Sequence, residues 1–413
     1  MHEPPISKRI MHLLARHDNP PAIVFPVNYN GVNFARALRA KGVDVVGILD
    51  RQKNPFHRTN SCEHVYCDNL RGTEAIDLLQ QIGQRAATKP VLIPIGDLQV
   101  LLLSQHREQL GEHFVFNIAD DETIRTMIDK TKLYVWGHQR FRFPKTASVT
   151  SVADIDHALA EMRFPVVFKP RYRTDRWLKA NLPKATMYSD ADELLRFYHK
   201  ASEYENVFVL SEFVEGPDSN LWLSHYYYSK GEPRAIYTDQ KIRQYPATLG
   251  TGAYCVSQRN SEIIGITKEM LSELNYTGIG AMEFKKDERT GEYYVIEPCC
   301  CRPSHHFYIG LGEGVNLPYL VYCDLAGKPV PRYEQSSKVV GFLDEERELQ
   351  AGLKYVLTGK LSPISFLRDM LRVRTCVYFS LHDPRVVLSF VALLATRGIR
   401  SAFRKAFAWF GGR

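Results

Sequence analysis

GIGAMEFKKDERTGEYYVIEP, residues 278–298, holds two apolar runs separated by a charged stretch. The pattern reads as a β-hairpin with its turn at Arg289–Gly291. Glu283 falls on the first strand and Glu297 on the second, so their side chains can project from one face. Two neighbouring carboxylates are costly unless a cation neutralises them. Mg²⁺ binds through one or two carboxylates plus phosphate oxygens, which makes Glu283 and Glu297 a candidate metal pair. The plain alternative is two solvated acids on an open sheet face. Against it, YYVI and Pro298 around Glu297 are too apolar for an incidental surface acid.

Upstream, FPVVFKPRY (164–172) is a short apolar strand with one lysine, Lys169. A charge inside such a strand needs a partner, and a nucleotide phosphate would supply one. A lysine that snorkels to the strand edge is the competing reading. VFVLSEFVEGPD (207–218) is a strand running into a Gly-Pro turn, and NLWLSHYYYSKGEPRAIYT (220–238) is a hairpin with a Lys-Gly turn. DETIRTMIDKTKLYVW (121–136) reads as one helix carrying Lys130, with Lys132 the nearby alternative. Ser151 is a candidate N-cap for the helix that follows it. Hairpins interleaved with helices indicate an α+β module.

The N-terminal stretch differs. PAIVFPV (21–27) and VDVVGILD (43–50) are strands on either side of the helical GVNFARALRAKG, and KPVLIPIGD (89–97) is a third strand. Strand, helix, strand in this order predicts a doubly wound α/β unit over the first 120 or so residues. The connection NYNG after the first strand is not a GxGxxG fingerprint, so a dinucleotide site is not expected there.

Four motifs thus follow in order: IDKTKLY, FPVVFKP, LSEFVEGPD, and the acid pair of AMEFKKD and YVIEP. Their order and spacing resemble the ATP-grasp superfamily, and more narrowly its carboxylate–amine ligases, over about residues 20–330. The resemblance implies a mixed α/β and α+β chain with the ATP-grasp fold. A Rossmann-like pre-ATP-grasp domain would cover 1–120. An ATP-grasp domain of two α+β halves would cover 121–335, with its linker near 211–218. A C-terminal extension, partly helical and basic, would cover 336–413. ATP and Mg²⁺ are the implied cofactors. Lys130 and Lys169 would then contact phosphates, and the backbone of Glu212, Phe213 and Val214 would meet adenine. Asp218, or alternatively Glu215, would bind ribose. Glu283 and Glu297 would hold the metal, and Arg302 and Lys241 would serve the reacting groups.

Residues 171–189 stand where the family has a mobile phosphate-covering loop, often glycine-rich. This one has no glycine, but Arg171, Arg173, Arg176, Lys179 and Lys184 could cover phosphates instead. QKIRQYPATLGTGAYC (240–255), with Lys241, Arg243 and a Gly-Thr-Gly turn, is expected to border the site. The family usually places Asn two residues after the second acid, where this chain has Cys299. Neutral sulfur is a poor ligand for a hard cation. A branch with Glu-Pro, three small residues and Arg fits Glu297, Pro298 and Arg302, with Cys299, Cys300 and Cys301 filling the small positions.

Cys299, Cys301, His305 and His306 also raise a zinc reading, but structural zinc ligands come in well-separated pairs, and this cluster is too crowded. His305 and His306 could instead face an acceptor substrate. The eight cysteines form no spaced framework, and the polar, proline-broken N-terminus lacks signal-peptide regions. Reduced thiols in the cytoplasm are the expectation. The net charge of +7 suits an anionic ligand, and no long Lys/Arg run suggests nucleic acid. Residues 384–413 are apolar at helical spacing and basic, as for a peripheral membrane contact, or equally for a terminal helix packed on the body.

The expected function is ATP-dependent ligation of a small-molecule carboxylate to an amine through an acyl phosphate. The alternative is an ATP-binding protein without ligase activity, a membrane-peripheral cell-envelope factor.

Overall fold

The computed structural model describes residues 6–51, 54–172 and 174–396. Three sheets organise them. The first is fully parallel, with strands β1 (Ala22–Phe25), β2 (Val45–Leu49), β3 (Glu63–Tyr66) and β4 (Val91–Pro94) in the order β3-β2-β1-β4. Every residue of β1, β2 and β4 is buried, as expected when helices cover both faces of a parallel sheet. The edge strand β3, with sequence EHVY, is one the sequence reading passes over. Only Val65 in it is fully buried, so it carries almost no apolar signal.

The second sheet is antiparallel and contains β5 (Thr146–Val149), β6 (Val166–Pro170), β7 (Thr186–Tyr188) and β8 (Phe208–Glu212), in the order β5-β8-β6-β7. Phe168 stacks on Phe208 at 4.7 Å inside its small core, with Trp177 and Tyr198 alongside. Ser151 does cap the helix Val152–Glu161, in a reciprocal capping box with Asp154.

The third sheet has seven strands: β9 (Leu221–Ser229), β10 (Glu232–Tyr245), β11 (Thr251–Ser257), β12 (Gly278–Lys286), β13 (Tyr293–Cys299), β14 (Gly341–Leu343) and β15 (Val373–Cys376). Their order is β13-β12-β9-β10-β11-β14-β15. Both expected hairpins are present, β9–β10 and β12–β13. The Lys230–Gly231 turn uses positive φ at both residues, 56° and 76°, as a tight hairpin turn requires. The last two strands come from the segment 336–413. That extension is therefore built into the sheet as well as being helical.

One expected helix is two. The stretch 121–136 breaks at Asp129, giving helices Asp121–Ile128 and Lys130–Gly137. Asp129 ends the first and caps the second, accepting hydrogen bonds from the Thr131 N–H at 3.1 Å and the Thr131 hydroxyl at 2.7 Å. Its carboxylate also pairs with Arg171. The break makes Lys130 the first residue of a helix and turns it inward.

Candidate active site

The site grows from a defect in the β12–β13 hairpin. Glu283 lies directly opposite Glu297, but the next pair is Phe284 opposite Val295. Ile296 is therefore an extra residue, a β-bulge. Before the bulge Val295 packs into the core; after it Glu297 turns to the cleft beside Ile296. Strict alternation would have placed Glu297 on the same face as Val295. Directly opposed side chains share a face, so the two acids look into one space.

Each acid has its own lysine. Lys241 on β10 donates to Glu283 Oε2 at 3.0 Å, and Lys130 donates to Glu297 Oε1 at 3.0 Å. Lys184, half exposed, is 3.9 Å from Glu297 Oε2. Burial opposes ionisation of Glu297, but Lys130, Lys184 and Lys169 outweigh it and hold the carboxyl well below its usual range. Burial works against the Lys130 and Lys241 cations too. Glu297 and Glu283 respectively reverse this and raise both pKa values. Lys169 is different: burial lowers its pKa to about 8, and Lys130 and Lys184 add to the cost of its charge. Among the described residues no carboxylate pairs with it.

These groups stand at one end of a cleft between the second and third sheets. Leu133, Val167, Val209, Leu221 and Phe213 line the remainder, with the 212–214 segment along one edge. The Glu212 and Phe213 N–H groups are spent on the carbonyls of Lys145 and Pro165. The Glu212 carboxylate accepts from the Arg163 N–H at 2.9 Å. Among the described residues Val214 N–H makes no backbone hydrogen bond.

Of the residues singled out from the sequence, Lys130, Lys169, Lys184, Glu212, Phe213, Val214, Glu283 and Glu297 all line this cleft. Lys241 stands behind Glu283. Asp218 stands behind the wall: Gln244 and the Thr248 N–H, both from the lining, donate to Oδ1 at 2.8 and 3.1 Å. Tyr355 donates to Asp218 Oδ2 at 2.6 Å. In residues 171–189, Arg171 is held by Asp129, residues Asp175–Lys179 form a short helix and Thr186–Tyr188 is β7. Arg173 lies outside the described residues.

Arg302 faces a second region. It is partly buried and paired with Asp97, one contact being 3.0 Å. Asp97 opens the helix after β4, and Asn28 caps the helix after β1. The chain goes from β1 to β2, whereas from β4 it returns to Val115, which pairs with Val91 on the far side of β4; such a divergence is where ligand crevices form in parallel sheets. Asp97 was missed as a site residue; its signal was an acid directly after a buried strand. Lys285 was missed too. It sits 3.8 Å above the Phe213 ring, with burial lowering its pKa to about 8. Its signal was its position two residues after Glu283 on one strand.

Cys299, Cys301, His305 and His306 do not gather around one point; His306 lies instead with Asp239 and Cys255 in a buried group whose ligand atoms lie within 4.8 Å of one another. Cys300 and Cys301 are fully buried free thiols. Cys301 Sγ accepts from the Ala119 N–H at 3.1 Å. His305 pairs with Asp344 at 2.8 Å, and His306 with Asp239 at 3.2 Å. Burial lowers the His305 pKa to about 4. Both rings are members of buried networks. Gly252 is required by this packing, since a Cβ there would lie 2.1 Å from His306 Nε2. Cys299 does share the cleft side of β13 with Glu297, and burial pushes its thiol up to about 11.

The oxygen-only acid pair fits a hard divalent cation. The neutral Cys299 thiol does not extend that donor set.

No model of a described protein family matches the chain. It is similar to the D-aspartate ligase of Enterococcus faecium (strain Aus0004), 27% identical over 247 residues, which cover 56% of this chain and 58% of that protein. It is also similar to the N-terminal section of the carbamoyl phosphate synthase large chain of Methanopyrus kandleri, 22% identical over 291 residues and covering 65% and 48%. The matches thus span about half the length of these curated relatives. Among solved structures it resembles an ADP complex of N5-carboxyaminoimidazole ribonucleotide synthetase, with TM-score 0.60, 14% identity and coverage of 79% and 82%. The L-amino acid ligase of Bacillus licheniformis gives TM-score 0.60, 16% identity and coverage of 79% and 80%. The biotin carboxylase domain of the Hydrogenobacter thermophilus 2-oxoglutarate carboxylase, solved with MgADP, gives 0.59, 16%, and 78% and 72%.

The parallel sheet, followed by a cleft between the second and third sheets, lies within the part of the chain that these likenesses cover. The chain has the ATP-grasp fold.

Proposed function

We propose that the protein is an ATP-dependent ligase that activates a carboxylate as an acyl phosphate and joins it to an amine. The observation that carries this reading is the opposed Glu283–Glu297 pair, surrounded by Lys130, Lys241, Lys184 and the unpaired Lys169. Such a set suits a triphosphate with its divalent cation. A plain nucleotide-binding wall does not need it. The apolar part of the cleft would take adenine, with Val214 N–H as the backbone donor and Lys285 close by. Asp218 would act on the ribose side through Gln244 and Thr248.

Glu283 and Glu297 would hold Mg²⁺, whose contribution is to offset charge on the transferred phosphoryl group. Lys130 and Lys169 would share that task from the protein side. The substrate carboxylate attacks the γ-phosphorus; the bond to the β-phosphate oxygen breaks and ADP leaves. The amine nitrogen then attacks the acyl carbon, the carbon–oxygen bond to phosphate breaks, and phosphate and a proton are released. Arg302 would orient a carboxylate at the crevice beside Asp97, since a guanidinium fork matches that group.

The relative's name, D-aspartate ligase, makes an amino-acid carboxylate the first substrate class to test. The test is ADP release with Mg²⁺ over a set of amino acids, D-aspartate first, each combined with amines and amino sugars. Product must contain the new amide bond by mass. Substrate-independent ATP binding without ADP release across the set would favour the non-ligase alternative. We place the reaction in the cytoplasm, where ATP and reduced thiols coexist. We also place the C-terminal segment at the inner face of a membrane. Among the described residues no helix is long and apolar enough to cross one.

A further inference from the structure

Among the described residues eleven large apolar side chains expose more than half of their surface, and ten of these fall in residues 349–391. They are not scattered. Leu349, Leu353 and Leu357 recur every four residues on the helix Glu345–Leu357, exposed by 59, 61 and 76%. Ile364, Leu367 and Leu371 recur at three and four residues on Pro363–Arg372, exposed by 74, 62 and 70%. Each set forms one stripe along its helix. The second helix has no buried residue at all.

Fraying does not explain this exposure, because both helices are anchored from the opposite side. Arg243, on β10 and only 2% exposed, donates to Glu348 at 2.7 Å and to Asp369 at 2.6 Å. Tyr355 reaches Asp218. Gly352 lies against Phe366, so the two helices touch each other. The protein holds these leucines outward.

Charge selects the occupant. From residue 345, where the first of these helices starts, to the end there are twelve Lys and Arg and five acids, leaving 41 basic and 41 acidic residues in the first 344. The whole positive excess is therefore in this segment. Its five acids are engaged by the protein itself: Glu345 accepts from the Val377, Tyr378 and Phe379 N–H groups, Glu346 from the Tyr378 hydroxyl, Glu348 and Asp369 pair with Arg243, and Asp383 with Arg36. A second copy of the chain would bring this cationic face against itself. Exposed leucines with Lys354, Lys360, Arg368 and Arg372 around them match the boundary of an anionic bilayer, which takes apolar side chains and attracts cations.

We infer that the paired helices Glu345–Leu357 and Pro363–Arg372 form a face that docks the protein on an anionic lipid surface. The inference rests on the reading of peripheral contact above and relocates its main site. The sequence pointed to 384–413; the described part of that stretch is a helix over 384–396, and 397–413 lies outside the described residues. Phe390 in this helix is buried on Tyr378, their rings 3.9 Å apart, so part of its apolar side faces the protein.

The test is co-sedimentation of the full chain with vesicles of phosphatidylcholine alone or with one-third phosphatidylglycerol. The expected result is pelleting with the anionic vesicles only, lost at high salt. The full-length variant L353S/L357S/L367S/L371S should lose it while keeping the wild-type melting temperature and circular dichroism spectrum. The full-length variant R397E/R400E/R404E/K405E separates the two readings. Loss in that variant, with binding retained in the leucine variant, overturns the docking face and leaves contact through the tail. No pelleting of the wild type overturns both. Concentration-dependent dimers that the leucine variant abolishes, without vesicle binding, would show that a second copy covers the face.

Discussion

Glu283 and Glu297 stand opposite each other across the β12–β13 ladder, and each is neutralised by a lysine from a different part of the chain. Lys241 comes from the neighbouring sheet region, and Lys130 from the start of a helix 167 residues away from Glu297 in sequence. Each acid thereby has a cationic partner in a partly enclosed cleft, and a cation with phosphates could replace the lysines as partners.

Replacing Glu297 by Gln removes one charge of that pair at constant volume. ADP release should fall by roughly two to three orders of magnitude, the usual cost of losing an electrostatic contact to a reacting centre. The circular dichroism spectrum should be unchanged. Turnover near the wild-type rate would remove the acid pair from the mechanism.

Lys169 should impose a pH dependence on nucleotide binding. Its pKa of about 8 means that the free protein loses this cation as pH rises through 8. ATP affinity should therefore decline above pH 8, in titrations followed by calorimetry. Lys169→Arg, which stays charged, should flatten the decline, and Lys169→Met should weaken binding about tenfold even at pH 7, as for a lost charge-assisted hydrogen bond. The stability linkage has the opposite sense. The unfolded chain binds this proton more tightly, so the cost of burying the cation is full below pH 8 and relieved between 8 and the ordinary lysine value of 10.5.

Cys299 is the point where chemistry and family pattern part. Cys299→Asn would set an amide oxygen two residues from Glu297 on the cleft side of β13. The Mg²⁺ concentration giving half-maximal ADP release should drop, because oxygen is the donor this cation prefers. An unchanged or higher requirement would mean that Cys299 does not face the metal position.

Arg243 fastens the C-terminal helices to the central sheet. Arg243→Met leaves Glu348, 4% exposed, without its cation. Breaking one partner of a buried pair typically costs about 3–5 kcal/mol, so the melting temperature should fall by several degrees. Tyr355→Phe should cost only about 1 kcal/mol, as for a single hydrogen bond. Equal effects for the two substitutions in thermal melts would contradict this division.

Much of the cleft was legible in the sequence because its motifs are local. An apolar strand with one lysine, a strand ending in Gly-Pro, and a hairpin with an acid on each arm can each be read within about twenty residues. The single helix expected over 121–136 was wrong because Asp129 offers its carboxylate to the next turn, and such local capping competes with helix continuation. The strand EHVY went unseen because its residues are half exposed at a sheet edge, where little apolar pattern is required.

By itself the sequence determined the two hairpins, the residues on them and the strand–helix–strand order of the N-terminal unit, since these follow from periodicity and turn chemistry along the chain. Tertiary structure alone decided which way Glu297 faces, because one bulged residue reverses the alternation that a strand pattern assumes. It alone paired Arg302 with Asp97 and Tyr355 with Asp218, contacts 205 and 137 residues apart that no local pattern encodes. It also separated leucines that pack from leucines that do not. Both kinds have the same helical spacing, and only the presence or absence of a facing element tells them apart.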